Sequence, residues 1–368
     1  MTRLIIPNNK RFVVPAKSRA FVDSSISTRF EIVVDTTKAG SSNDTFVLPL
    51  DGTSTYNFDI DWGDGNTETV TTNTDQTHVY AFPGIYTIKI GGTNNTFPAI
   101  KFDDTGDTDK LLEIRNWGDI AWGSFRFAFH GCRNMVLTAT DIPDISGVAS
   151  FSRAFENTGI ISIDLRGWDF SSATGLSNML NGCRDLVSIN MTGIDLSGIL
   201  SLNRFANVNE NLEEIIGHED LDLSDVRDFT LAFNGCTKLR NLDVSNWDIS
   251  AVVDFDRTFR LCASLTLSGI DNWTTTRLKY MSGMFQESPV NPDISDWDIS
   301  VLTDASDAFD GSNFSQTNYD KLLVSWEAQD TSNVQFNAGD AKYGSGAPAT
   351  ARAALVTRGW TITDGGPA

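Results

Sequence analysis

Three kinds of side chain in this sequence could bind a metal or take part in catalysis: histidines, clustered aspartates and cysteines. The histidines are His78, His130 and His218, and they lie in three different sequence contexts, so a shared metal site is not expected. The sequence contains no Gly-x-Ser-x-Gly motif, P-loop or HExxH motif, and no nucleophile can be paired with a base among its many Ser and Asp residues. We therefore predict a protein that is not an enzyme and needs no metal or cofactor.

The aspartates Asp59, Asp61 and Asp64 are the closest approach to a metal-binding cluster. Hard cations such as Ca²⁺ prefer carboxylate oxygens, so these three side chains could hold one. They could equally solvate one face of a strand and set the turn that follows it. Their spacing matches no defined calcium loop, which favours the second interpretation and leaves the first open.

The cysteines share one position in a repeated pattern: Cys132, Cys183, Cys236 and Cys262. Cys236 and Cys262 are one repeat apart, where a disulfide is conceivable only if the two Cα atoms lie within about 7 Å. We favour buried free thiols that act as small apolar fillers.

The pattern itself has a period of about 25 residues. One landmark is an apolar residue, which is Phe or Leu at Phe129, Phe155, Leu180, Phe205, Phe233, Phe259, Phe285 and Phe309. A second is an aspartate, in most copies within an Asp-hydrophobic-Ser triplet, at Asp144, Asp169, Asp195, Asp222, Asp248 and Asp298. Two landmarks with one period predict eight structural units between about 115 and 315.

Each unit predicts a short helix followed by a short strand. Residues that cap helices, such as Asp254, stand five positions before the landmark, and apolar residues four before and three after it complete one helical face. A β-type run such as "LRNLDVS" follows. So small a unit cannot bury its own apolar face, so we expect the units to stack and their strands to pair in parallel.

Tryptophan recurs at one position of the pattern: Trp168, Trp247, Trp273 and Trp297. A ladder of exposed indoles could stack on sugar rings or anchor a protein partner. Alternatively, the indoles pack each unit onto the next. Repetition favours packing, because a packing residue must recur in most units whereas a sugar site need not. We keep the four residues as candidate binding residues.

The string "NLDVSNWDIS", followed by "FDRTFRLCASL", resembles the leucine-rich repeats of the BspA-like surface proteins. The resemblance covers about 115–315 and implies an α/β leucine-rich-repeat solenoid, which we place at 99–315. The segment from "NYDKLLVSWEAQ" to "ARAALVTRGWTITDGG" resembles the C-terminal segment of such arrays and implies a cap at 316–368.

Upstream, "YNFDIDWGDGNTETV" alternates apolar and polar residues, as a half-buried strand does. With "HVYAFPGIY" it resembles a polycystic-kidney-disease (PKD) repeat. The resemblance implies a small β-sandwich of the immunoglobulin kind at 29–98. The predicted fold class is therefore mainly β with short helices: a PKD-like sandwich, then a solenoid of about eight repeats, then a cap.

Residues 1–28 are basic and punctuated by proline, and they contain no apolar stretch typical of a secretory signal. We predict an extended arm that anchors the chain to a larger assembly through Arg3, Lys10 and Arg11. The net charge of −20 argues against nucleic acid and anionic membranes as partners, and no apolar run is long enough to cross a bilayer.

These features predict a non-enzymatic structural or adhesive protein of a virus particle. Its expected partners are other virion proteins, through the arm, and a host-surface glycan or protein, through the repeats. The alternative is a bacterial cell-surface adhesin, which the resemblance to BspA-like proteins favours but which needs an export signal or anchor. A carbohydrate-active enzyme needs paired catalytic carboxylates, and no motif for such a pair is visible.

Overall fold

The computed structural model describes residues 27–368. Its N-terminal part is a six-stranded sheet in the order β4-β3-β6-β1-β7-β8 and a separate antiparallel pair, β2-β5. The strands are β1 Phe30–Asp35, β2 Thr45–Leu48, β3 Asn57–Asp61, β4 Thr67–Val70, β5 Gln76–Val79, β6 Ile85–Thr96, β7 Leu111–Asn116 and β8 Val136–Leu137. The predicted alternation is confirmed in β3, where Phe58 and Ile60 are buried while Asp59 and Asp61 lie at the surface.

The large sheet does not end at the predicted boundary near residue 98. Strand β1 pairs antiparallel with both β6 and β7, and β7 pairs in parallel with β8, which lies inside the first repeat. The N-terminal unit and the start of the repeat region therefore share one sheet.

The predicted solenoid of helices and one long parallel sheet is wrong. The described residues are about 9% helical and 21% strand, and their strands form five separate sheets of two to six strands, none of them closed. Within the repeats the strands are only two or three residues long: β9 Ser162–Asp164, β10 Ser188–Asn190, β11 Glu214–Ile216, β12 Leu242–Asp243 and β13 Leu267–Ser268. β11-β10-β9 and β12-β13 are separate parallel sheets.

The predicted repeat helices are irregular turns. Each of the eight turn segments comprises ten residues, from five before the apolar landmark (position −5) to four after it (position +4). Within each segment, positions −2 and +2 have a left-handed backbone, such as Arg257 (φ 54°) and Leu261 (φ 60°). Left-handed residues do not fit a right-handed α-helix, so no helix forms. The turn segments are 124–133, 150–159, 175–184, 201–210, 228–237, 254–263, 280–289 and 304–313.

The capping residues have the predicted chemistry but stabilise a turn. At position −5, Asp254 accepts a hydrogen bond from the backbone N–H of Asp256 at 2.8 Å, and Ser150 accepts one from Ser152 at 3.4 Å. In both cases the donor lies two residues on, as in Asx and Ser/Thr turns. Sequence alone does not separate this turn from a helix start, because both use the same residue types.

Backbone hydrogen bonds join each turn segment to the next. The N–H groups at positions −2, 0 and +2 donate to the carbonyls at positions −3, −1 and +1 of the following segment. Phe259, for example, donates to Met284 at 3.0 Å, with flanking bonds from Arg257 and Leu261 at 2.8 Å each. These bonds satisfy buried backbone groups and hold the strained left-handed residues in place.

The hydrogen bonds also correct the landmark of the fourth repeat. Leu180 donates to Phe205, and Ala206 donates to Ala232. Position 0 of this repeat is therefore Ala206, and Phe205 occupies position −1. The sequence favours Phe205 as the landmark because Phe is the larger of these two adjacent apolar residues.

The C-terminal part contains the two α-helices found among residues 27–368, α1 Gln316–Glu327 and α2 Ala347–Thr357. They accompany a parallel sheet of β14 Asp304–Ala305, β15 Gln335–Asn337 and β16 Thr361–Thr363. Strand β14 belongs to the last turn segment, so this sheet continues directly from the repeats. No helix among residues 27–368 is long and apolar enough to cross a membrane.

Candidate binding surface

The four candidate tryptophans lie inside the protein. Each is at most 5% exposed, and the rings of Trp247, Trp273 and Trp297 stack at centroid distances of 6.4 and 5.9 Å. The indole N–H of Trp273 donates to the carbonyl of Val244 at 3.1 Å, and that of Trp297 to Ile270 at 3.0 Å. The structure thus places these residues where the packing interpretation put them, with no exposed face for a sugar ring.

The cysteines are buried free thiols, and Cys183, Cys236 and Cys262 also donate a hydrogen bond. The thiol of Cys262 donates to the carbonyl of Phe233 at 3.1 Å, and that of Cys236 donates to Ala206 at 3.1 Å. Each acceptor is position 0 of the preceding repeat. Asn209 and Ser288 take over this bond in repeats without cysteine. Burial raises the pKa of Cys236 to about 12, so this thiol is a poor nucleophile.

A row of polar side chains at position +1 runs along the turn segments: His130, Glu156, Asn181, Asn207, Asn234, Arg260, Gln286 and Asp310. Asn207 donates to Asn181 at 2.7 Å, and Asn234 donates to Asn207 at 2.8 Å. The row breaks after Asn234, whose Oδ1 has no partner among the described residues. Sequence reasoning missed this row, although its signal, a polar residue after every landmark, was present.

The repeated Asp-hydrophobic-Ser triplets form exposed turns on other parts of each repeat. Asp169 accepts from the N–H of Ser171 at 3.0 Å, and Asp248 from that of Ser250 at 2.9 Å. These bonds lower the pKa of both carboxyls, because they stabilise the charged form. Asp169 and Asp248 therefore present ionised carboxylates to solvent at neutral pH.

Asp59, Asp61 and Asp64 serve three separate hydrogen-bonding roles. Asp59 accepts from Thr69 and Asn94, while Asp61 accepts from the backbone of Gly63. Asp64 contacts His78, with 2.8 Å between Oδ2 and Nε2. The described residues contain no group of three or more His, Cys, Asp or Glu side chains that could hold a metal ion.

Cations converge on one aromatic ring at the start of the repeats. Lys101 Nζ, Arg126 Cζ and Arg153 Cζ lie 5.6, 4.8 and 5.7 Å from the centroid of Phe127. Lys101 and Arg153 also pair with carboxylates 3.4 and 3.3 Å away. Arg126 is exposed and has no ion-pair partner within residues 27–368. This basic cluster stands out in a chain of net charge −20.

An open cleft of about 520 Å³ lies in the N-terminal unit, lined by residues that include Asp51, Asp75, Lys101 and Asp107. Its carboxylates are engaged in local structure. Asp107 accepts from the N–H and the hydroxyl of Ser41 at 2.6 and 2.8 Å and from Val47 at 2.7 Å. The carboxylates that line the cleft are therefore already occupied by hydrogen bonds from the surrounding chain.

The predicted anchor residues Arg3, Lys10 and Arg11 lie outside the described residues. Their role stays a prediction.

The fold defines a protein of tandem repeats whose turn segments bond to one another in sequence order. Its residues 123–202 and 200–322 match a family described as "Mycoplasma protein of unknown function, DUF285". The two matches together cover more than half of the 368-residue chain, so the chain belongs to this family. No curated protein and no solved structure matched the chain.

Proposed function

We propose that this chain is a non-enzymatic structural or adhesive protein of a virus particle that displays its repeats toward a host or another surface. The observation that carries the proposal is that the repeated side chains form contacts between neighbouring repeats. Most of the tryptophans, thiols and polar row residues bond to a neighbouring repeat. Polar groups at a catalytic site converge on one reacting centre, whereas these are distributed evenly along the repeats.

The exposed positions support the same proposal. Six of the repeats carry an Asp-hydrophobic-Ser triplet whose aspartate is at least partly exposed to solvent. A partner that binds several equivalent positions gains avidity without any single strong site. We place the attachment point in residues 1–28, with Arg3, Lys10 and Arg11 meeting acidic surface on other virion proteins.

The test is incorporation into particles. A truncated chain beginning at Arg29 should be lost from purified particles while its melting temperature stays close to that of the full chain. The chain carrying Arg3→Ala, Lys10→Ala and Arg11→Ala should show reduced occupancy. Truncated protein at parental occupancy would contradict the anchor, and absence of the full chain from particles would contradict a virion role.

The absence of an activity is tested separately. Purified protein should bind without hydrolysing glycans or peptides. Hydrolysis that a single point substitution abolishes would overturn the non-enzymatic reading.

A second candidate is a bacterial cell-surface adhesin, which the resemblance to BspA-like proteins implies; the family description names a bacterial genus and no function. Antibody labelling of intact cells should then detect the repeats, and protease treatment of intact cells should remove the label. Label that appears only after cells are lysed would contradict this candidate.

A further inference from the structure

The surface formed by the eight turn segments, here called the turn face, changes charge from one end to the other. The first segment contains Arg126 and Arg133 and no carboxylate, while the last contains Asp304, Asp307 and Asp310 and no lysine or arginine. Because backbone hydrogen bonds join the segments in chain order, this difference separates the two ends of one continuous surface.

The inner segments follow this trend in their net charge. Counting Arg and Lys against Asp and Glu, the second to fourth segments carry 0, +1 and 0, and the fifth to seventh carry −1, 0 and −1; the sixth holds Arg257 and Arg260 beside Asp254 and Asp256. If two copies met with their turn faces antiparallel, the arginines of the first four segments would each meet a segment that carries carboxylates, whereas Arg257 and Arg260 of the sixth would meet the third, which holds Arg184. A parallel arrangement would oppose like charges at both ends.

The charged groups at the two ends are accessible. Arg126, Asp307 and Glu287 are exposed, and Arg153 keeps 43% of its side chain exposed. Seven intervals of about 4.8 Å separate the first and last segments by roughly 34 Å. This exceeds the Debye length of about 8 Å at physiological salt, so each end interacts with its own local partner.

We propose that the turn face is a self-complementary interface through which two copies of this chain form an antiparallel, two-fold symmetric dimer. A two-fold axis at the middle of the face brings the basic end of each copy to the acidic end of the other, so the same contact forms twice. The chosen partner is a second copy because the complementary charges lie on this chain itself. The inference does not depend on the proposed function.

The pattern of the repeats supplies charge-reversal variants that fit the local backbone. Position −3 is Arg126 in the first segment and Asp256 in the sixth, so Arg126→Glu places an acid where the fold already tolerates one. Position −2 is Asp307 in the last segment, and other repeats hold Arg153 or Arg204 there with the same left-handed backbone. Asp307→Arg therefore suits its position as well.

The experiment is sedimentation velocity of the full chain and its variants at about 0.1 M and about 1 M NaCl, where the Debye length is roughly 10 and 3 Å. The parent should dimerise at the lower salt and dissociate more at the higher. Arg126→Glu and Asp307→Arg should each weaken the dimer by roughly tenfold or more, and the double variant should recover most of the loss. The control Glu214→Arg, on β11, should dimerise like the parent.

Melting temperatures establish that each variant is folded. A parent that stays monomeric at low salt up to about 100 μM, the micromolar-to-millimolar range of weak association, would overturn the proposal. So would a dimer that neither single variant weakens, which would place the contact elsewhere, including residues 1–26. If the double variant dimerised no more tightly than the more weakly dimerising single variant, Arg126 and Asp307 would not meet across the interface. That result would also overturn the antiparallel arrangement.

Discussion

Asp248 and Asp254 stand six residues apart and make the same local hydrogen bond. Each accepts from the backbone N–H two residues on, at 2.9 Å from Ser250 and 2.8 Å from Asp256. Their pKa values nevertheless move in opposite directions. The bonds from Ser250 lower the pKa of Asp248, whereas burial, with the charge of Asp228 nearby, raises that of Asp254.

The contrast separates two regions of every repeat. In its exposed Asp-hydrophobic-Ser turn, Asp248 stays in water, so the hydrogen bonds from Ser250 dominate its pKa. In the turn segments, stacking removes solvent from Asp254 and places Asp228 of the preceding segment beside it. Stacking, rather than the local motif, therefore decides what an aspartate contributes to stability.

The largest expected effect is in the buried core of the turn segments. Phe259 is fully buried, and its ring stacks on Phe233 at 5.9 Å and on Phe285 at 6.1 Å. Phe259→Asp should lower the free energy of unfolding by about 4 kcal/mol or more, because it buries an unpaired charge and removes the ring. Chemical denaturation measures this. The control Phe127→Asp changes a partly exposed ring and should lower the free energy of unfolding far less. Equal losses for the two variants would contradict the claim that burial sets the cost.

A smaller effect is expected where the thiols satisfy carbonyls. Cys262→Val should cost about 2 kcal/mol, because the carbonyl of Phe233 loses its thiol donor inside the core. Cys262→Ser should cost less, since Ser288 makes the equivalent bond in its own repeat. Thermal melts of both variants test this. If the Val variant proved as stable as the Ser variant, the thiol would be filler alone.

The period and the inward-facing residues could be predicted from the sequence, because burial of Phe and Trp at one register follows from hydrophobicity alone. The element type could not. An apolar spacing of four and three residues fits both a helix and a turn that left-handed residues interrupt. In proteins, a positive φ is most common in Gly and Asn. The sequence therefore gives no sign that Arg153 and Leu231 adopt one.

The environment of the candidate tryptophans could not be predicted from the sequence for a related reason. Trp297 was a candidate for binding because indoles suit sugars, but its N–H is bonded to Ile270 of the preceding repeat. The cluster at Phe127 escaped notice because Lys101, Arg126 and Arg153 come from three parts of the chain. Contacts between repeats depend on register, which the hydrogen bonds establish and the sequence does not.

A pH dependence should distinguish the buried carboxylates. Burial and the charge of Asp254 raise the pKa of Asp256 to about 6. A raised carboxyl pKa adds stability below the unfolded value of about 3.9, and this contribution is lost as pH rises through about 6. Asp256→Asn, which keeps the acceptor for the N–H of Ser282, should therefore gain about 1 kcal/mol at pH 7, after allowance for solvent screening. Chemical denaturation at about pH 4.5 and about pH 7, on either side of the folded pKa, checks this. An equal gain in the free energy of unfolding at both pH values would contradict it.

The smallest expected effect has the opposite sign of pH dependence. The lowered pKa of Asp248 means that its contribution is present above about 3.9 and is lost as pH falls through its folded value. Asp248→Ala removes the acceptor for Ser250 and should cost about 0.5 kcal/mol at pH 7, a typical value for an exposed turn. The cost should shrink toward pH 3 as the parent carboxyl is protonated. A loss that stayed constant down to pH 3 would show that Asp248 acts through packing, and the contrast with Asp254 would then not rest on charge.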